Sequence, residues 1–208
     1  MILPILEMLC SRRIILASGS PRRKSILENI GLKIEVIPST FEEDLEPSGF
    51  PSLQDFVIET CYQKALEVAC RLQKAGESAE LIIAADTIAL DGKVYGKPGS
   101  DDVARDMLNK LSGKPHQVLT GVTLMWDCNS PSPVVDKFCE ITFVHMPTLS
   151  DAIISSYIQT REPLDKAGAY GIQGIGGCLV EKVDGDFYNV AGLPLHKLCQ
   201  HIKKHYEL

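Results

Sequence analysis

The run Ile14-Ile15-Leu16-Ala17, followed at once by Ser18-Gly19-Ser20-Pro21, constrains this chain more than any other segment. Four consecutive apolar residues ahead of turn formers read as a short buried strand. Ser20 then offers a hydroxyl at a helix N-cap, and Pro21 suits the first helical position. Ile26, Leu27 and Ile30 supply an apolar helix face that Gly31 ends. The alternation continues. Lys33 to Ile37 reads as a second strand, and a long helix starts near Ser52 with the stripe Val57, Cys61, Ala65, Val68 and Leu72. Leu81 to Ala85 is a third buried strand, ending at Asp86.

Beyond Asp86 the pattern changes. Ser100, Asp101 and Asp102 open a helix with Val103, Met107, Leu108 and Leu111 inside. His116 to Met125 and Lys137 to Met146 alternate and are β-branched, as two locally paired, antiparallel strands would be. Ser150 caps a helix carrying Ile153, Ile154, Tyr157 and Ile158. A loop with Gly168, Gly171, Gly174, Gly176 and Gly177 follows, then a strand through Val183, a turn at Asp184-Gly185-Asp186 and a helix from Gly192. Strands alternating with helices at the front and pairing locally in the middle give an α/β protein with a mixed sheet flanked by helices. The Pro47–Pro51 and Ser130–Pro133 turns could divide two lobes, but neither is a linker. The expectation is a single domain over 1–208, one intertwined unit with a cleft.

Charge narrows the partners. Asp and Glu number 27 against 21 Lys and Arg, for a net charge of −6. Such a chain repels phosphate backbones at long range, which speaks against nucleic-acid binding. Residues 8–27 nevertheless hold no acid and carry Arg12, Arg13, Arg22, Arg23 and Lys24, a place for a small anion. The seven cysteines are scattered without a CxxC, which points to free thiols in a reducing compartment and to a cytoplasmic protein. Met1 to Leu9 is apolar but short and lacks a basic flank, so it does not read as a signal peptide; no apolar window is long enough to span a membrane.

Five features could carry chemistry. At Ser18-Gly19-Ser20-Pro21-Arg22-Arg23 a helix N-terminus offers unpaired N–H groups, two hydroxyls and two guanidinium forks, a set suited to phosphate. The alternative is that Ser20 only caps and the arginines are solvated. Asp86, after five apolar residues, falls at the carboxyl end of a buried strand, where open α/β sheets bind ligands. There it would hold Mg²⁺ or take a proton from water, or it would merely cap the next segment; Thr87 adds a hydroxyl beside it. Lys64 shares the face of Val57, Cys61 and Val68, so it either snorkels at the margin or points into a cleft. Lys97 is a further cation, stiffened between Gly96 and Pro98. Glu42 opens an acidic run, Glu42 to Glu46, that physics alone leaves as a solvated face. In the glycine-rich loop, glycines let the backbone approach a ligand closely, and Gln173 could present its amide to a base edge.

Taken together, Ala17 to Arg23, Ala85-Asp86-Thr87, Gly96-Lys97-Pro98, Leu111-Ser112-Gly113 with His116, Asp165 to Gly174, Asp184-Gly185-Asp186 and Gly192-Leu193-Pro194 closely resemble the Maf family of nucleoside triphosphate pyrophosphatases. The resemblance covers nearly the whole chain. It implies a Maf/ITPase-like fold of mixed twisted sheet and helices, with two lobes and a central cleft, usually dimeric. It further implies a house-cleaning hydrolase that splits a nucleoside triphosphate between its α- and β-phosphates with a divalent metal, Mg²⁺, Mn²⁺ or Co²⁺. On that resemblance Asp86 is the proton acceptor, and Glu42 and Asp86 hold the metal. Ser18, Ser20, Arg22, Arg23, Lys64 and Lys97 bind the triphosphate. Arg22, Thr87 and Gln173 match the branch acting on dTTP and UTP, with CTP and modified pyrimidine triphosphates as further candidates, and not the branch acting on 7-methyl-GTP. Gly19 departs from the larger polar residue often found in its slot, which should alter loop stiffness more than chemistry. The readings to be set against this one are a phosphatase releasing orthophosphate and a non-catalytic nucleotide-binding regulatory module.

Overall fold

The computed structural model describes residues 2–206. Met1, which opens the apolar N-terminal segment, and the last two positions of the expected 1–208 domain lie outside the described residues. The strands are β1 (Ile14–Leu16), β2 (Glu35–Val36), β3 (Leu81–Leu90), β4 (Val94–Tyr95), β5 (Pro115–Trp126), β6 (Val134–His145) and β7 (Lys182–Asp184). The helices are α1 (Leu6–Cys10), α2 (Pro21–Asn29), α3 (Leu53–Lys74), α4 (Asp101–Leu111), α5 (Asp151–Gln159), α6 (Phe187–Ala191) and α7 (Leu195–His205). The sheet runs in the order β2-β1-β3-β5-β6-β7, with β4 added to β3. β1 lies parallel to β2 and to β3, with Leu16 opposite both Val36 and Ile83. β4 pairs antiparallel with β3, and β7 antiparallel with β6. This is the expected mixed α/β sheet.

The chain forms two compact units, Met1–Asp86 with Gly121–Cys139 and Gly192–Leu208, and Thr87–Thr120 with Glu140–Ala191. In the first, Ile15 and Ala17, Ile82 and Ala84, and Met125 pack against Ala65, Val68, Ala69 and Leu72 of α3. The α3 stripe read from the sequence is thus the buried face, and each fully buried aliphatic side chain contributes about 1.5–3 kcal/mol. Gly121 permits the close approach of α3 to β5, because a Cβ there would stand 2.8 Å from the Val57 carbonyl oxygen. In the second unit, Ala104, Leu108 and Leu111 of α4 and Ile154, Tyr157 and Ile158 of α5 pack with Ala89, Val118, Val144, Tyr170 and Leu179. Among the described residues none of the seven cysteines forms a disulfide, and no helix is long and apolar enough to cross a membrane.

Two elements differ from the sequence expectation, and a third had none. β3 does not end at Ala85 but runs through Asp86 to Leu90, because Ile88 and Ala89 are buried and β4 folds back onto Ala89–Leu90. Asp86 is therefore within a strand, three residues past the last β1 partner, Ile83. The helix expected from Gly192 begins only at Leu195 as α7, after Gly192 at φ 108° and Pro194, and a separate short helix, α6, precedes it. The N-terminal apolar segment folds as the short helix α1 with Leu9 fully buried.

One buried group in the second unit ties stability to pH. His116 is 2% exposed; its Nε2 lies 2.9 Å from the Tyr170 hydroxyl, and its Nδ1 is buried with no hydrogen-bond partner. Burial lowers its pKa from 6.5 to about 4, with the charge of Asp91 opposing. The unfolded chain takes up this proton at higher pH than the folded one. Stability from this site is therefore complete above pH 6.5 and is lost as pH falls toward about 4. The expected loss is on the order of 3 kcal/mol. Urea midpoints measured from pH 7 to 4.5 should show this slope in the wild type and lose most of it in His116→Gln.

Candidate active site

In the first unit the turn from β1 into α2 is a set of side chains fixing one another. Ser20 at the N-cap accepts from the Arg23 amide at 3.5 Å. Ser18, buried, accepts from the Ser20 amide at 3.3 Å and from Arg23 Nη1 at 2.9 Å. Arg23 Nε donates to the Gly192 carbonyl at 2.8 Å. Desolvation pushes the Arg23 pKa down, and the nearby charge of Asp86 opposes that shift. The sequence offered Arg22 and Arg23 as equivalent forks. The structure makes Arg23 a staple of the loop that also supplies positive charge, whereas Arg22 lies half-buried one position earlier.

The centre of this unit is Lys64. It sits mid-way along α3, 8% exposed, and its Nζ donates to Asp86 Oδ1 at 2.8 Å and pairs with Glu43 Oε1 at 2.8 Å. Of the two positions left open for it, the structure shows the inward one. Burial is the largest influence on Lys64 and opposes its charge, but Asp86 and Glu43 together outweigh it and raise the pKa. Cys61, one turn before, is fully buried, and burial with the Asp86 charge drives its pKa well up, so it stays a thiol and is no nucleophile.

The same helix holds the acidic loop. Glu67 accepts from Ser39 Oγ and from the Thr40 amide, both at 3.0 Å, and Arg71 donates to the Pro38 carbonyl at 2.8 Å. Spaced three and four residues apart, Lys64, Glu67 and Arg71 form one polar stripe along α3. Burial works against ionisation of Glu67, yet these hydrogen bonds and Arg71 bring its pKa below the usual range. The sequence singled out Glu42 of the acidic run. The structure brings Glu43 to Lys64 and leaves Glu42 exposed next to it. Charge composition could not separate the two; only the loop's course along α3 does.

The remaining residues belong to the second unit. Thr120 Oγ1 donates to the Asn189 carbonyl at 3.0 Å and stands 3.0 Å from Thr87 Oγ1, so the Thr87 hydroxyl is the donor of that pair. Lys97 is exposed on a loop stitched down by Gly168 N to Gly96 O at 3.3 Å and Gly99 N to Leu164 O at 3.2 Å. Gln173 is exposed at the tip of a turn closed by Gly174 N to Gly171 O at 3.1 Å. The glycines beside it do approach something closely, but it is the protein itself: a Cβ on Gly174 would stand 2.5 Å from a Glu162 oxygen. Glu162 and Tyr157, which hold this turn, are functional candidates that nothing in the sequence pattern marked.

No cluster of three or more His, Cys, Asp or Glu arranged for a metal occurs among the described residues. Asp86 with the neighbouring acidic loop offers hard oxygen donors in small number. That donor set fits a divalent cation whose remaining ligands come from phosphate and water.

Comparisons with known proteins bear on the whole chain. The family model of Maf-like proteins matches residues 13–205. A human protein named probable bifunctional dTTP/UTP pyrophosphatase/methyltransferase protein is 44% identical over 209 residues, which covers 98% of this chain and 34% of the human one. The chain thus spans about a third of that relative's length. A dTTP/UTP pyrophosphatase from Alkaliphilus metalliredigens is 43% identical over 197 residues, covering 94% of this chain and 97% of the bacterial one. Among solved structures, a HAM1 protein from Coxiella burnetii aligns over 93% of this chain and 99% of its own with a TM-score of 0.51. Its 16% identity makes this a likeness of fold.

The Lys64 pairing predicts a particular pattern of stability changes. Lys64→Met leaves two carboxylates facing each other without their cation and should cost about 3 kcal/mol. Adding Asp86→Asn should restore part of the loss, so the double-mutant cycle, measured by urea unfolding at pH 7, is expected to be strongly non-additive.

Proposed function

The chain belongs to the Maf-like family, and from that membership we propose that it hydrolyses pyrimidine nucleoside triphosphates, dTTP and UTP foremost, to the monophosphate and pyrophosphate. The observation that carries this reading is the grouping of Asp86, Lys64, Glu43 and Arg23 in one compact unit. A carboxylate fixed beside two cations and a helix N-terminus suits a phosphate chain and an attacking water. The relatives named dTTP/UTP pyrophosphatase support the substrate class.

In this reading the α2 amides with Ser18, Ser20 and Arg22 bind phosphate oxygens, and Arg23 orders that loop while adding its charge. Lys64, through its bond to Asp86 Oδ1, sets the orientation of the carboxylate. Asp86 accepts the proton of a water whose oxygen bonds to the α-phosphorus. The bond from that phosphorus to the bridging oxygen breaks, and pyrophosphate leaves with the electron pair. Lys97 is assigned to the phosphates and Gln173, assisted by Thr87, to the pyrimidine edge. A divalent cation, Mg²⁺, Mn²⁺ or Co²⁺, held by Asp86 and Glu42 would neutralise phosphate charge and lower the barrier to attack. A homodimer and a cytoplasmic setting complete the reading, the latter in keeping with the lack of any disulfide among the described residues.

The test is a screen of nucleoside triphosphates with each cation, read out as both pyrophosphate and orthophosphate. Pyrophosphate and monophosphate in equal amounts are expected, greatest with dTTP and UTP and abolished by a chelator. Orthophosphate as the primary product would show a phosphatase instead, and tight nucleotide binding without turnover a regulatory module. Asp86→Asn should lower kcat roughly 10²–10⁴-fold while equilibrium dialysis still detects bound triphosphate. Near-normal turnover by that variant would remove Asp86 from the role of base.

A further inference from the structure

The turn that presents Gln173 is held by a side-chain clamp. Glu162 Oε1 accepts from the Gly176 amide at 3.0 Å and from the Tyr157 hydroxyl at 2.9 Å, while Oε2 accepts from the Ile175 amide at 2.9 Å. The Tyr157 oxygen in turn accepts from the Gly171 amide at 3.0 Å. Both ends of the Gly171–Gly174 turn are thereby anchored to one carboxylate–phenol pair, and Ile172 and Gln173 occupy the two central positions. Lys166, reaching back to the Glu162 carbonyl at 2.8 Å, fixes the backbone of the clamp residue itself.

The glycines follow from this clamp. A Cβ on Gly174 would stand 2.5 Å from a Glu162 oxygen, one on Gly171 2.6 Å from the Lys166 stem, and one on Gly176 2.4 Å from the Tyr157 hydroxyl. The backbone is bare where the clamp grips it and carries a side chain at the exposed tip, Gln173. Burial opposes ionisation of Glu162, but the two amides and the phenol hold its pKa below the usual range, so the clamp is a carboxylate. Charge-assisted bonds to two successive amides are stronger and more directional than neutral ones.

We propose that Glu162, with Tyr157, is a positioning residue for base selectivity: it fixes the turn whose Gln173 amide reads the nucleobase. This rests on the pyrophosphatase reading and on Gln173 as the base reader. A small displacement of a hydrogen-bonding group costs discrimination more than turnover, because it acts on recognition and not on the reacting phosphate. Glu162→Gln replaces one acceptor oxygen by an NH₂ group that faces an N–H, so one anchor of the turn is lost. Tyr157→Phe removes the acceptor for the Gly171 amide and leaves the two Glu162 amide bonds in place.

The test uses the full chain and the ratio of kcat/KM for dTTP to that for dATP. Glu162→Gln should lower this ratio roughly tenfold, with the change for dTTP appearing mainly in KM, and Tyr157→Phe should lower it by a smaller factor. In a Gln173→Ala background the same Glu162→Gln change should move the ratio less than about twofold, since positioning acts only through the group positioned. Thermal unfolding of each variant separates this from loss of fold; if Glu162→Gln does not fold, Tyr157→Phe carries the comparison. An equal loss for dTTP and dATP, or an undiminished effect in the Gln173→Ala background, would overturn the positioning role alone. A wild-type chain that releases no pyrophosphate from any triphosphate would overturn the pyrophosphatase reading, and this role with it.

Discussion

A single buried ammonium organises the first unit. An isolated charge at the depth of Lys64 is costly to desolvate, and it persists because two carboxylates stand at 2.8 Å from it. The pairing reaches three parts of the chain at once: the middle of α3, strand β3 at Asp86 and the acidic loop at Glu43. That loop has no regular structure around Glu42–Asp44 and depends on α3, where Glu67 and Arg71 continue the polar stripe that Lys64 begins. One helix thus buries an apolar face on the sheet and uses its polar edge to hold a loop, and the site is the point where these two tasks meet.

The second unit solves a similar problem with the opposite charge. There a carboxylate, Glu162, gathers backbone amides instead of an ammonium gathering carboxylates. Each arrangement fixes an irregular segment that helix or strand ladders could not. In the first, the fixed segment brings an acid to the ammonium; in the second, it leaves Gln173 exposed. The neutral His116 against Tyr170 adds a further anchor to the residue that leads into the turn.

Much of the fold was legible because it follows from local rules. Continuous apolar runs made β1 and β3, and the Ser-Pro start and Gly31 bounded α2. The Val57 to Leu72 stripe set which face of α3 is inside. What was not legible depends on partners distant in sequence. β3 continues beyond Asp86 because β4 returns to pair with Ala89 and Leu90, which an apolar-run argument does not see. Glu43 and Glu42 are neighbours of identical chemistry, and only the path of the loop selects between them for Lys64. The inward course of Lys64 was one of two readings, since its position on the wheel allows both the margin and the interior. The glycine loop was read as a cradle for a ligand, because glycine marks close approach without saying what approaches; Glu162 and Tyr157 occupy that space.

The Arg23 staple has a consequence for how the molecule comes into being. Its Nε is held by the carbonyl of Gly192, 169 positions later in the chain. The unit that contains Asp86 is likewise assembled from three separate segments, the last beginning at Gly192. During synthesis, therefore, the turn from β1 into α2 emerges well before the carbonyl that locks it. Pairings so distant in sequence slow folding, because loop closure precedes the contacts that reward it. Until the Gly192 carbonyl arrives, that one bond of Arg23 is unmade, and the order of the turn waits on a segment far along the chain.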